Sequence, residues 1–349
     1  MFRNLVNIHD FIMLAEKAKQ GRLDRVFSRL GVRKKERVRQ AWNSSIGNGP
    51  KGWEDIEAIR RHWNFAVSGD GETDFREYVA RKYLAGKNSL LALSLGCGAG
   101  ANELKWADAG VFKRIDAYDL SESRIELARR KAQEKGLSAV LNFQSGDVFN
   151  LEGRENYYDF IICEASLHHF SPLDKVLPRV SSFLKKDGLF FINEFVGPSR
   201  FQWTKRQMEA TDAVLSILPS KYKVRWGGDL GIKSRVHRPS ILSMLLWDPS
   251  EAVESSNILP MVHKLFDICE LKPFGGTILS LLFQDIAHNF LSDDEETLDL
   301  IDLCIDIETK MLKHNAIESD FVVAVCKRKP WTEANPVEQK TASTVQYPL

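Results

Sequence analysis

The chain has 349 residues, 44% of them hydrophobic, with 48 Lys and Arg against 47 Asp and Glu for a formal net charge of +1. These proportions describe a soluble globular protein able to bury one large core or two smaller ones. No apolar stretch reaches the length that crosses a bilayer, and the opening MFRNLVNIHDFIMLAEKAKQ has no basic segment ahead of its apolar residues, so a cytoplasmic protein is expected.

The first 86 residues read as a helical cap. Ile8, Phe11, Ile12 and Leu14 recur at helical spacing, as do Val26 and Leu30; a loop at Gly47, Gly49, Pro50 and Gly52 precedes a second helical stretch, WEDIEAIRRHWNFAVSGDGETDFREYVARKYL. Between Lys17 and Arg39 the cap carries a basic arm opposed only by Asp24 and Glu36, while a late helix from Asp293 to Glu308 is acidic. The plainer reading is a pair of solvated helix faces that attract each other, within a monomer or between the copies of a homodimer. The sharper one is contact with RNA or an anionic membrane surface. Aromatic residues hardly interleave with the basic run, which disfavours a nucleic-acid platform.

The run LLALSLGCGAG, 90–100, is an apolar strand that empties into three glycines at alternate positions, the pattern of a buried parallel strand handing over to a helix with backbone exposed for a ligand. A dinucleotide site would place a further glycine two residues after Gly100. Asn102 and Glu103 stand there instead, and an acidic residue in the first turn opposes a diphosphate. The pattern therefore favours an adenosine cofactor without phosphate, S-adenosylmethionine, leaving as S-adenosylhomocysteine. The next strand ends in Asp119, roughly twenty residues on, where a carboxylate accepts from two ribose hydroxyls.

Strands near Leu90, Ile115, Val140, Phe160 and Phe190 alternate with amphipathic helices, notably 122–135, which demands a parallel sheet covered on both faces. Residues 198–260 read as helices and loops. The strand pattern resumes in VHKLFDICELKPFGG, a long helical stretch follows over 277–314, and SDFVVAVCKRK is the last strand. The chain thus divides into the cap (1–86), a core (87–197), a helical lid (198–262), completion of the core sheet with long helices (263–329) and a flexible tail (330–349). Cys97, Cys163, Cys269, Cys304 and Cys326 are scattered and without a C-x-x-C pair, implying neither a disulfide framework nor a zinc site, and no metal is expected.

The segments LSLGCGAG, DAYDLSESRIELARRKA, FQSGDVFNL, YYDFIICEASLHHF and LKKDGLFFINEFVGPSRFQW, in this order over 89–203, resemble the class I S-adenosylmethionine-dependent methyltransferases. The late segment FGGTILSLLFQDIAHNF, with EFVGPSRFQW and WDPSEAVESSNILP, is similar to a bacterial small-molecule or sugar methyltransferase subgroup whose acceptors are mostly unassigned, which sharpens the family without naming the substrate. The resemblance implies a Rossmann-like α/β fold, with seven strands in the order 3-2-1-4-5-7-6, mostly parallel and the final one antiparallel. It implies backbone approach to the cofactor at Gly96, Cys97, Gly98, Ala99 and Gly100, ribose binding by Asp119 and flanking of adenine by Leu120. Asp147 and Val148 take the position that meets the adenine amino group; Glu164, Ala165 and Ser166 line the methyl-transfer face. In related enzymes the segment before the first strand often closes over the methionine end, which makes Trp63 and Tyr78 candidate contacts, with core packing the plainer role for both. One departure stands out: the family has Asp or Glu two residues before the first glycine, and Ser94 stands there, so the cofactor's ammonium must find a carboxylate elsewhere.

Methyl transfer from a sulfonium is an in-line displacement that needs alignment, plus proton removal when the acceptor is a hydroxyl. The candidates for a base are His168, His169 and Glu194 at the strand ends and His237 and His288 beyond them. Lys221, Lys223, Arg225, Lys233, Arg235 and Arg238 surround Asp229 in the lid; facing inward, they would select an anionic acceptor. Gly227 and Gly228 would let that loop gate the site. The expected function is methyl transfer to a small-molecule or sugar-containing acceptor, at oxygen. RNA methylation is the alternative enzyme, weakened because ASLHH replaces an N-P-P-Y-like tetrapeptide after strand four. A non-catalytic S-adenosylmethionine-binding scaffold or regulator is the third reading.

Overall fold

The computed structural model describes Val38, residues 51–227 and residues 231–329. The basic arm apart from Val38, the helices expected around Ile8 and Val26, Gly228 and Asp229 of the gate, and the 330–349 tail lie outside the described residues.

The elements run α1 (Glu57–Ser68), α2 (Phe75–Tyr83), β1 (Leu90–Leu95), α3 (Ala101–Ala107), β2 (Phe112–Asp119), α4 (Glu122–Glu134), β3 (Leu141–Ser145) and β4 (Tyr158–Glu164). They continue with α5 (Leu173–Phe183), β5 (Leu184–Phe195), α6 (Lys205–Ile217), α7 (Ile241–Trp247), α8 (Ile258–Leu265), β6 (Phe266–Gly275), α9 (Leu279–Phe283), α10 (Glu295–Lys313) and β7 (Phe321–Arg328). The strands form one seven-stranded sheet in the order β3-β2-β1-β4-β5-β7-β6. Pairing is parallel from β3 across to β5, and β7 runs antiparallel to both β5 and β6, as the resemblance implied.

The pleat sorts the apolar side chains by alternation. Ala92, Ile115, Phe160 and Phe191 pack with Val79 of α2, Trp106 of α3 and Ile125 of α4 on one side. Leu93, Leu95, Ile161 and Phe190 pack with Val176 and Val180 of α5 and Val262 of α8 on the other. Both faces of the central strands are therefore covered, which is why LLALSL reads as a continuous apolar run.

A third core joins segments that the sequence separates. Ile56 and Ile59 at the start of α1, Val214 and Leu215 of α6, Leu282 of α9 and Ile301 of α10 share one cluster. Buried carboxylates fasten this layer to the sheet. Glu308 accepts from the amides of Gly276, Ile278 and Leu279 at 2.8, 2.6 and 3.0 Å, and Asp320 accepts from Trp203 Nε1 and Gln207 Nε2, both at 3.1 Å. Burial pushes the Asp320 carboxyl up to about 7.

Candidate active site

The site begins where β1 ends. Gly96 and Cys97 both donate to the Tyr118 carbonyl, at 2.8 and 3.1 Å, which folds the chain back across the end of β2. Gly96, Gly98 and Gly100 all take positive φ, at 75°, 53° and 77°. Two of them also have no room for a side chain: a Cβ on Gly96 would lie 2.6 Å from Ser166 Cβ, and one on Gly100 would lie 2.7 Å from the Phe143 ring. The Asp119 carboxylate bridges the strand ends, Oδ2 accepting from Gly98 N at 2.9 Å and Oδ1 from Ser121 N at 2.8 Å. Burial raises its pKa. After β3, Asp147 caps the short 148–150 turn through Phe149 N at 3.0 Å.

These residues line a cavity of about 730 Å3 on the carboxyl edge of the sheet. Gly96, Cys97, Gly98, Ala99, Asp119, Leu120, Asp147, Val148, Glu164, Ala165 and Ser166 all reach it. Gly100 does not; it packs beneath the loop against Phe143 and Ala128. Trp63 and Tyr78 are not among the cavity residues and take the packing role instead. Trp63 packs edge-on against Trp53 at 4.4 Å and against Phe274 of β6 at 5.5 Å, and Tyr78 donates to Glu270 at 2.8 Å, so both serve the contact between this helical segment and β6.

The residue from the cap that reaches the site is Arg76. It grips Glu164 with two hydrogen bonds, Nε to Oε1 at 3.0 Å and Nη2 to Oε2 at 2.7 Å, and also donates to Asn102 at 2.9 Å. Trp106 Nε1 donates to Glu164 Oε1 at 2.5 Å. A cation is what allows Glu164 to be buried and charged. Ser94 finds a carboxylate too: its hydroxyl donates to Glu103 Oε1 at 2.6 Å, while Oε2 is buried without a hydrogen-bond partner among the described residues. Burial pushes Glu103 up to about 7. The acid missing from the strand is thus carried on α3, one layer behind the cavity wall.

At the other end of the cavity stand His168, His169, Ser250 and Glu251. Glu194 was expected to point into this crevice, but its carboxylate is spent behind it: Oε1 accepts from Ser166 N at 2.6 Å and from Leu167 N, and Oε2 meets His168 Nδ1 at 2.6 Å. That leaves His168 Nε2 directed to Glu251 Oε1, 3.5 Å away. His169 Nδ1 lies 3.4 Å from Ser250 Oγ and 4.0 Å from Glu251 Oε2. Burial disfavours an imidazolium at His168, but the Glu194 charge outweighs it and its pKa is raised. His169 is held well below its ordinary value by burial and by His168, and burial pushes Glu251 up to about 7.

Glu251 reaches the site because its segment is strapped to the sheet edge. Arg200 donates to the carbonyls of Glu251 and Pro249 at 3.2 and 3.0 Å, and Ser255 Oγ donates to Gly197 O at 2.9 Å. The remaining candidates fall elsewhere. His288 packs edge-on against Trp226 at 5.3 Å, and neither it nor His237 lines the cavity. The lid cations also turn away from it. Lys221 pairs with Glu296 at 2.5 Å and Arg225 with Asp285 at 3.4 Å. Lys233 is buried and donates to the carbonyls of Leu281 and Gln284, both at 2.7 Å, and Arg238 donates to Trp203 O. Lys223 donates to Leu215 O at 3.5 Å, and Arg235 is not among the cavity residues. None of these six cations lines the cavity.

Sequence reasoning missed Arg76, Glu103 and Glu251. Asp74 caps α2 through Arg76 N at 2.9 Å, and nothing local announces that the next-but-one side chain crosses to β4.

This strand order, with a glycine loop closing one end of a cavity on the carboxyl edge, is the one that the resemblance to the class I S-adenosylmethionine-dependent methyltransferases implied. Residues 93–192 match the family model described as a methyltransferase domain. The uncharacterized methyltransferase YcgJ of Bacillus subtilis is 33% identical over 104 residues, 30% of this chain and 41% of that protein. Sterol 24-C-methyltransferase erg6 of Aspergillus fumigatus is 29% identical over 178 residues, 48% of this chain and 42% of that protein. The chain therefore spans about two fifths of the length of these curated relatives. Among solved structures, phosphoethanolamine N-methyltransferase 2 of Haemonchus contortus, in complex with S-adenosyl-L-methionine, superposes with a TM-score of 0.49 at 12% identity, covering 86% of this chain and 61% of that one. No helix among the described residues is long and apolar enough to cross a membrane.

Proposed function

We propose that this protein moves the methyl group of S-adenosylmethionine to an oxygen of a small, largely apolar acceptor seated between the 166–169 turn and the 250–253 segment. The observation that carries the reading is the continuity of one cavity from the glycine loop and Asp119 to His168 and Glu251. The residues suit the cofactor. Asp119 offers a half-buried carboxylate to the ribose, Leu120, Val148 and Phe149 form an apolar slot for adenine beside Asp147, and Glu164 with Asn102 receives the amino-acid end.

The acceptor end has one oriented nitrogen. Glu194 fixes the His168 ring through Nδ1, so Nε2 is presented towards the acceptor with its position set by backbone amides. Val38, Phe149, Phe170 and Val253 give the cavity an apolar lining, which favours a small apolar molecule over RNA, whose phosphates call for a cationic track. The sterol methyltransferase relative favours a second reading, transfer to carbon of an apolar sterol-like acceptor.

The test is calorimetric titration with S-adenosylhomocysteine, followed by transfer of labelled methyl from the cofactor to fractionated extract. Binding and a labelled small molecule are expected. Failure of the wild-type protein to bind S-adenosylhomocysteine overturns the reading; label in RNA replaces the acceptor class.

A further inference from the structure

We propose that His168, His169 and Glu251 form a binding site for a divalent transition-metal cation at the acceptor end of the cavity. Their ligand atoms all lie within 4.8 Å of one another. The separations are informative. His168 Nε2 to Glu251 Oε1 is 3.5 Å and His169 Nδ1 to Glu251 Oε2 is 4.0 Å, both too long for good hydrogen bonds. The 3.5 Å separation lies close to the edge of a tetrahedron, ~3.4 Å, that nitrogen and oxygen ligands describe around zinc at ~2.1 Å, while the His169 separation runs to the other carboxylate oxygen and is longer.

The support behind the ligands has the form a metal site requires. Glu194 occupies His168 Nδ1 at 2.6 Å, which turns Nε2 and its lone pair towards Glu251; a carboxylate behind a ligating histidine fixes the ring and raises its basicity. Glu194 is itself held by the amides of Ser166 and Leu167. Glu251 is brought in by the Arg200 strap, on a segment more than eighty residues from the histidines. All three ligands line the cavity, so the fourth position opens towards the acceptor. Two imidazoles and one carboxylate suit Zn2+, Fe2+ or Mn2+ rather than Ca2+, which prefers oxygen throughout. The inference deepens the methyl-transfer reading by giving His168 Nε2 to a cation, which would itself lower the pKa of an acceptor hydroxyl in place of a free imidazole base, and rests on that reading only for what fills the open position, an oxygen of the acceptor.

The test is titration of chelator-stripped protein with Zn2+ alone, without cofactor, followed by calorimetry and by Zn2+-dependent change in Tm. Wild-type protein is expected to bind one equivalent, with Glu251→Gln and His169→Ala each weakening it at least about ten-fold. Glu194→Gln, which touches no cation, should weaken it about 10- to 100-fold by acting through His168. Equal Zn2+ affinity in wild type, Glu251→Gln and His169→Ala overturns the proposal. Should these variants fail to fold, visible absorption of the Co2+-loaded wild type decides. Bands of nitrogen- and oxygen-ligated Co2+ support the site; a spectrum matching aqueous Co2+, or one dominated by thiolate charge transfer, overturns it. Because no cofactor is present, a negative result leaves methyl transfer standing, whereas failure of S-adenosylhomocysteine to bind removes that reading and leaves the Zn2+ result intact.

Discussion

The two ends of the cavity are built by different means. The glycine-loop end is made from backbone amides and short-range contacts at the ends of β1, β2 and β3, with Asp119 bonding Gly98 and Ser121. The other end is made from side chains brought across long stretches of chain, Glu194 behind His168 and Glu251 from within the 198–262 segment, and Arg76, reaching from α2 to Glu164, is placed by the same long-range means. The first arrangement tolerates little change in backbone shape. The second depends on buried charges finding their partners, so single truncations there cost most.

That contrast is broken hardest at Arg76. Arg76→Met would leave Glu164 buried without its cation, and a loss of about 3–5 kcal/mol in unfolding free energy is expected by denaturant titration; retention of wild-type stability would show that the charge pair is not what holds the cap to β4. Gly96→Ala sets a Cβ against Ser166 at a φ that only glycine adopts comfortably, and about 2–3 kcal/mol of stability should go with it. Asp119→Ala should weaken S-adenosylhomocysteine binding about 10- to 100-fold in calorimetry, the worth of charged hydrogen bonds to two hydroxyls.

A smaller effect concerns pH. Glu103 titrates at about 7 in the fold, above the ordinary carboxylate range, because burial penalises its charge. Its contribution to stability is therefore complete at pH 4 and below, and is lost as pH rises towards 7, when the unfolded chain has ionised and the folded one still holds the proton. Wild-type stability should drop over that window by on the order of 1–3 kcal/mol more than that of Glu103→Gln, followed as Tm against pH. The smallest change is expected at the lid surface: Lys221→Ala removes an exposed pair with Glu296 and should leave methyl transfer unchanged. A fall in turnover there would return the lid cations to the acceptor.

The glycine-loop end was legible because its information is local. Three alternate glycines after an apolar strand, and an aspartate closing the next strand, state a backbone shape and a carboxylate position within about thirty residues. Glu194 shows where that kind of reading stops. A glutamate ending a strand beside a crevice was read as facing it; the Ser166 and Leu167 amides, left unpaired by the turn after β4, claim it instead. The lid lysines and arginines misled for the same reason, since nothing local reveals that Lys233 satisfies the last carbonyls of α9. Trp63 and Tyr78 sat in the right segment, but on helix faces turned towards β6.

The sequence by itself determined the sheet, its strand order through the family likeness, and the glycine loop, because alternation, glycine φ requirements and strand-to-helix handover are properties of neighbouring residues. Tertiary structure alone decided which charges meet: Arg76 with Glu164, Glu103 with Ser94, and Glu251 with His168 and His169. Their partners lie on other elements, and only burial together makes an unpaired charge costly enough to dictate who pairs with whom.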